Sequence, residues 1–487
     1  MKPRLPTLAV FAVLAALVAP DTAWAHAALY DYKFPLPLWV FLLGGAIAVF
    51  ASAPAAALAV RLRGDWTSRD FYRLIAPLRL GVMGTVLATA LFVDGLAGGF
   101  FGSPLFIANP LTLLVWVDFW VGLGIVCCLI GNVWDFVSPL SAAGRALERF
   151  LARRDMPVRP YPRWLGVWPS VVLLLAWSWT ELVWTHSDHP KDLAVVLIVY
   201  FVAQLVAMAI FGTERWLERG ELFTVLARTF ARFAPIELYV RQPQGECRAH
   251  RCKEGVERIG CPACWLDAPR EKRGLRLRAY GAGVRREPTL GSGGSAFVVA
   301  LLATVVYDGF RGTSAYLDFQ DSINWGATTF DSIGTVTMLI IVGGFTLAYI
   351  AVCAVVSFRE EGGVLATAQR YAPTLIPIAA VYFVAHYFVY WFQLGQLSLG
   401  NFADPFEREW VPDYNIWVTV PPGVIWASQV ALIVWGHVVA VIEAHRIGLR
   451  VHTQPRSALA AQLPLVLLMV GYTFSGLWVL GQALGGG

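Results

Sequence analysis

Along this chain, long apolar runs alternate with short polar joints. Ten runs come close to the roughly 20 residues that a helix needs to cross the hydrocarbon core of a bilayer. They fall at about 38–60, 81–100, 111–130, 164–184, 193–211, 295–310, 333–356, 373–392, 424–444 and 460–480. The pattern predicts an all-α fold, a polytopic integral membrane helical bundle of about ten transmembrane helices with a Cys-rich loop between the fifth and the sixth.

The first 25 residues form a different kind of segment. Lys2 and Arg4 precede an apolar run over 8–18, and Ala23-Trp24-Ala25 follows. That order matches the charged, apolar and small-residue regions of a secretory signal peptide. Cleavage after Ala25 would leave His26 as the mature N-terminus. The competing reading is an uncleaved signal anchor, although the apolar run is short for a full span.

Composition sharpens the class. The 487 residues are 57% hydrophobic and 15% charged, with 20 Trp and a mean hydropathy of +0.59. Water-soluble domains carry about a quarter of their residues as charges. The net charge of +5 is therefore no sign of a nucleic-acid partner, and the partner it implies is the lipid bilayer. What matters is where the positive charges lie. With His26 outside and the spans alternating, the outer segments hold Lys33, Lys191, Arg311 and Arg408, and every other one of the 38 Lys and Arg falls inside. This asymmetry predicts a multi-pass protein of the bacterial inner (cytoplasmic) membrane with both mature termini outside.

The chain then divides into a signal peptide (1–25), five membrane helices (26–212), a cytoplasmic loop (213–294) and five further membrane helices (295–487). The loop opens on TERWLERGELFTVLARTFARFAP, which places Trp216, Leu217, Phe223, Leu226, Phe230 and Phe233 near one helical face. It reads as an amphipathic helix lying in the inner headgroup region, ended by Pro235. "FVDG" at Phe92 and "YDGF" at Tyr307 each end an outward-going span, a faint sign of internal duplication.

The same loop carries CRAHRCKEGVERIGCPAC. Cys247, Cys252, Cys261 and Cys264 have the spacing C-x4-C-x8-C-x2-C. Four thiolates in a short loop suit tetrahedral zinc, and a reducing compartment disfavours disulfides. An iron–sulfur cluster and a set of unligated thiols are the competing readings. A zinc held by four thiolates is coordinatively closed, so it would staple the loop and would not activate water.

Ionisable residues inside spans are costly and are functional candidates by default. Counted at ~1.5 Å per residue from the inner end of each span, Asp94, Glu181, Asp308, His386 and Tyr472 all fall at roughly 20–25 Å. Gln429 reaches the same layer from the other side. They predict a polar chamber open to the outside. His437 falls deeper, so His386 and His437 are not at one level for axial ligation of a haem. Each residue also has a plain reading: Asp94 and Asp308 precede Gly at span ends and can cap helices, and a lone His in a span can serve packing. His26 offers an amino group and an imidazole to one metal, a chelate suited to copper. THSDHPKD adds His186, Asp188 and His189 in an outer joint, which reads equally as an ordinary polar turn.

Four stretches carry a family likeness: GVWPSVVLLLAWSWTELVW, PTLIPIAAVYFVAHYFVYWFQLGQ, SQVALIVWGHVVAVIEAHR and QLPLVLLMVGYTFSGLW. With Ala25-His26 and the Pro-Leu-Pro-Leu-Trp start of the first span, they resemble bacterial membrane proteins known as fenitrothion hydrolases. The likeness covers most spans and is clearest in the last three. It does not extend to the Cys-rich loop or to His186 and His189. It implies a membrane-bound enzyme that hydrolyses a small apolar organophosphorus triester, and it leaves room for a second subunit. In that reading His386 is a base or a metal ligand, and Glu181 and Asp308 are orienting carboxylates or ligands. Gln429 and Tyr472 donate hydrogen bonds. His437 supports the site from behind or binds a metal of its own. Any divalent metal in the membrane site is unidentified. The contrasting class is metal handling or transport, with copper entering by His26.

Overall fold

The computed structural model describes residues 36–63, 69–71, 77–154, 158–241, 258–285, 289–323, 332–406, 408, 418–452 and 454–485. The signal peptide, His26, Cys247 and Cys252 lie outside the described residues. The main helices are α1 (Leu38–Arg63), α2 (Pro77–Phe101), α3 (Pro110–Leu129), α4 (Pro139–Ala152), α5 (Trp168–Leu182), α6 (Pro190–Phe211), α7 (Thr213–Arg219) and α8 (Leu222–Ala231). They continue with α9 (Pro262–Asp267), α10 (Ser292–Arg311), α11 (Ser314–Ile323), α12 (Ser332–Ser357), α13 (Leu375–Ala403), α14 (Pro422–Val451) and α15 (Pro455–Gly485).

Nine helices among the described residues are long and apolar enough to cross a membrane. They match nine of the ten predicted spans. The exception is 164–184. Between Pro162 and Gly166, which takes a positive φ of 46°, the chain makes only a 3-10 turn (Arg163–Leu165), and the α-helix starts at Trp168. The helix ends at Leu182, leaving 15 residues and a length of roughly 22 Å at 1.5 Å per residue. Several other spans run longer than predicted: α14 by a turn or more at its C-terminal end, and α13 as far as Ala403.

The helices sort into a core and a rim. In α10, 78% of the apolar window is buried; in α2 the figure is 11%. Val82, Met83, Val86 and Leu87 of α2, and Leu339, Ile340 and Leu347 of α12, stand exposed. Such apolar belts on rim helices fit lipid, which demands no polar partner. The centre is α13, buried without a break from Leu375 to Ala385 and packed against α3, α10 and α14. At Gly436 a Cβ would sit 2.1 Å from Val381 Cγ2, so glycine is what lets α14 approach α13 this closely. α1 packs on α14 and α15, which ties the two halves of the chain together.

The loop at one end differs from its predicted form. The amphipathic stretch is two helices, because Gly220 and Glu221 break it. Glu221 caps α8 by accepting from the Phe223 and Thr224 amides at 3.1 and 2.7 Å, and the Tyr200 hydroxyl donates to it at 2.5 Å. Nor does α8 lie on a surface. Leu222–Ala231 is buried along nearly its whole length, with Phe223 against Trp177 at 4.9 Å and Phe230 against Phe383 at 5.0 Å. Arg228, which helical periodicity alone assigns to the polar face, makes a two-pronged bond to Asp135 at 3.0 and 3.1 Å. That pairing lets a charged residue turn inward.

Beyond α8, a small antiparallel sheet forms from β1 (Arg69–Phe71), β2 (Ile236–Val240), β3 (Arg258–Ile259) and β4 (Arg273–Leu277), in the order β1-β4-β2-β3. Register runs Ile236↔Leu277 to Val240↔Arg273. Arg278 locks the sheet to the end of α8, donating to the Ala231 and Ala234 carbonyls and to Glu237. The all-α reading stands, with this sheet as the part that hydropathy did not announce.

Candidate functional site

Two of the predicted chamber residues meet directly. His386 Nε2, midway along α13, lies 2.9 Å from Asp308 Oδ2, near the C-terminal end of α10. With Asp308 ionised the carboxylate can only accept, so Nε2 carries a proton, and in the neutral imidazole the lone pair is then on Nδ1. That Nδ1 is buried and has no hydrogen-bond partner among the described residues. The two side chains as a whole are 16% and 22% exposed, through atoms other than Nδ1.

Local sequence explains how the pair can form. Gly309 follows Asp308, and a Cβ there would stand 2.5 Å from Val479 Cγ1, 3.2 Å from His386 Cε1 and 3.4 Å from the Tyr382 hydroxyl. A glycine at this point gives the imidazole its room. Tyr382 and Tyr387 flank the ring, Tyr382 nearly parallel at 6.1 Å and Tyr387 edge-on at 4.5 Å. The Tyr387 hydroxyl faces Asp308. The Tyr382 hydroxyl is buried without a partner.

Glu181, one residue from the end of α5, is the third member. It lies close enough to Asp308 for the two carboxylates to repel, and Arg311, one turn beyond Asp308, offers positive charge to both. The Trp120 indole N–H stands beside Glu181 and Tyr387 without closing a full hydrogen bond to either. Trp120 belongs to a π-helical stretch of α3, Leu113–Leu123. Widened helical turns of this kind recur at functional sites. Here the turn packs Trp116 and Trp120 against Trp177 in tilted contacts, at 5.0 and 6.1 Å.

The hydrogen bonds of Gln429, Tyr472 and His437 go elsewhere than to this group. Gln429 is buried, and its amide donates to the Ala385 carbonyl at 3.1 Å, so it braces α13 beside His386. Tyr472 stacks on Phe345 at 4.8 Å and its hydroxyl reaches the Phe345 carbonyl at 3.5 Å. Its polar neighbours are Tyr349 and Cys353. His437 turns back on its own helix, Nδ1 donating to the Ile433 carbonyl at 2.8 Å. Depth counted along a helix cannot say which way a side chain faces, and facing is what parted Tyr472 from the site; His437 was already set apart by its depth.

Cys261 and Cys264 flank Pro262 at the start of α9, both buried in a small apolar cluster with Val240, Ala263 and Trp265. Sequence reasoning passed over Trp120, Arg311 as a partner of the carboxylates, and Asp118. Asp118 is a carboxylate in the middle of LLVWVDFW whose Oδ2 is buried without a hydrogen-bond partner. The charge inside an apolar run was the available signal. A cavity of about 230 Å3 opens elsewhere, lined by Arg219, Arg228, Arg232 and Thr289, and does not include the Asp308–His386 pair.

Comparison of the chain with protein-family models, with curated proteins and with solved structures finds no match.

Proposed function

We propose that this chain is an integral membrane hydrolase for small apolar organophosphorus triesters of the fenitrothion type, with His386 as its general base. One observation carries the reading: His386 is held by Asp308 through Nε2 and keeps Nδ1 buried and unpartnered. That is the arrangement a base needs, with one nitrogen oriented by a carboxylate and the other free to take a proton. A triester drawn from the bilayer would meet a water beside Nδ1. As the water oxygen bonds to phosphorus, its proton passes to Nδ1. The bond from phosphorus to the aryl oxygen then breaks, and the nitrophenolate leaves with the electron pair. Glu181 and Arg311 set the field around the pair, and the Tyr382 hydroxyl is placed to donate to a phosphoryl or thiophosphoryl group.

A divalent metal at this site has less support. The one group of three His, Cys, Asp or Glu among the described residues whose ligand atoms all fall within 4.8 Å of one another lies elsewhere. The Cys-rich loop is proposed to hold a structural zinc. Burial of Cys261 and Cys264 beside the sheet supports this, with Cys247 and Cys252 completing the set. The orientation is proposed from charge asymmetry, with both mature termini outside the cytoplasmic membrane. A reporter active only in the cytoplasm should be silent after Gly487 and work when inserted near Gly281.

The deciding experiment uses purified membranes and fenitrothion. Wild type should release nitrophenol, and H386A, inserted at normal yield, should not. Equal release by both would end the proposal.

A further inference from the structure

The joint between α5 and α6 has the sequence THSDHPKD, giving His186, Asp188, His189 and Asp192. As sequence it passes for a polar turn. Folded, it gathers ligands. His186 Nδ1 lies 2.8 Å from Asp192 Oδ2. The two imidazole rings are 4.7 Å apart, centre to centre. One ligand atom from each of His186, His189 and Asp192 lies within 4.8 Å of the other two.

The group is held from outside its own hydrogen bonds. Trp184 stacks on His186 at 5.7 Å with the planes 24° apart. The Trp116 indole donates to the Ser187 carbonyl at 2.9 Å, fixing the turn to α3. The His189 amide donates to the His186 carbonyl at 3.1 Å, and Pro190 starts α6 directly afterwards, which puts Asp192 in its first turn. Asp188 Oδ1 sits 3.2 Å from His189 Nδ1. A carboxylate on one imidazole nitrogen is the common way to orient the other toward a metal. The side chains of His186, His189 and Asp192 are 43%, 57% and 45% exposed, so water has access to the remaining coordination positions.

We propose that His186, His189 and Asp192 form a binding site for a divalent transition-metal ion. Zinc binds imidazole nitrogen and carboxylate oxygen at about 2.0–2.2 Å, so ligand atoms around one ion stand on the order of 3–3.5 Å apart. Small side-chain rotations close the present spacing to that value. Two imidazoles favour zinc, copper or nickel over magnesium or calcium. With three protein ligands the site stays open and exchangeable, unlike a four-thiolate site. The proposal stands apart from the hydrolase reading, since none of its residues belongs to the Asp308–His386 group.

The test uses the full chain in detergent, stripped with chelator and dialysed against micromolar Zn2+, with bound metal counted by mass spectrometry. H186A and H189A should each bind about one equivalent less than wild type. C261S/C264S should keep that equivalent, which separates this site from the Cys-rich loop. Zn2+ should raise the melting midpoint of wild type more than that of H189A. Should H186A fold poorly, H189Q carries the same expectation. Two results would overturn the proposal: equal zinc in wild type and the His variants, or half-saturation only at or above about 1 mM free Zn2+, no tighter than a weak surface contact.

Discussion

At each end of the bundle a histidine approaches a carboxylate, and the two meetings are built differently. Where α12 ends and α13 begins, Glu360 is fully enclosed. It accepts from the Tyr371 hydroxyl at 2.6 Å and from Arg370, and His452 stands 3.4 Å away. Both of its oxygens are engaged, while His452 Nε2, buried beside it, closes no hydrogen bond among the described residues. At the other end, Asp308 holds His386, yet His386 Nδ1, the Tyr382 hydroxyl and the Trp120 N–H lack partners. Burying a polar atom without a partner costs about 1–3 kcal/mol. A carboxylate engaged at both oxygens repays its burial in stability, whereas a cluster with several unpartnered groups keeps that cost and gains the capacity to bind something. The contrast is the basis for reading Glu360 as a brace and His386 as the proposed site.

Variants can break that contrast. The largest effect expected is on turnover: H386A should lower fenitrothion hydrolysis by about 10²–10⁴-fold, the usual worth of a general base, while its melting midpoint stays near that of wild type. D308N should fall in the same direction, since an amide can turn either its oxygen or its NH2 to the ring and no longer fixes one tautomer. Loss of activity together with insertion would instead make His386 structural.

E360A should do the converse. Removing one partner of a buried ion pair costs about 3–5 kcal/mol, so yield and melting midpoint should drop, with specific activity of the surviving protein retained. If E360A inserted normally and lost only activity, the two ends would have been assigned in reverse.

Next comes G309A. Its new methyl would press on Val479 and on the His386 ring, and overpacking of this kind costs about 1–3 kcal/mol. Both turnover and melting midpoint should fall, because packing and site share this glycine. C261S/C264S should lower bound zinc and yield and leave specific activity in place, as a folding staple far from the chemistry would. The smallest effect belongs to Y472F. A hydroxyl reaching its acceptor at 3.5 Å contributes at the bottom of the usual range, below about 0.5 kcal/mol, and turnover should be unchanged. A large loss in Y472F would restore this tyrosine to the chamber.

The sequence by itself determined the spans. Whether a segment can enter a bilayer depends on its own apolar length, a local quantity, and nine of ten readings match a helix of sufficient length. The tenth stopped short because Gly166 and Val183 bound α5 to 15 residues, and hydropathy does not register backbone turns. The sequence also singled out His386, Asp308 and Glu181, since a charge in an apolar run is visible without a fold. Tertiary structure alone decided which of those polar groups meet. His386 and Asp308 are 78 residues apart, and their contact depends on α10 and α13 packing with Gly309 between them. The same lateral packing sent Tyr472 to Phe345, turned His437 onto its own backbone and buried α8 under Trp177. A helix fixes depth by rise per residue, while the direction each side chain faces follows from its neighbours. Those neighbours come from parts of the chain that no local pattern connects.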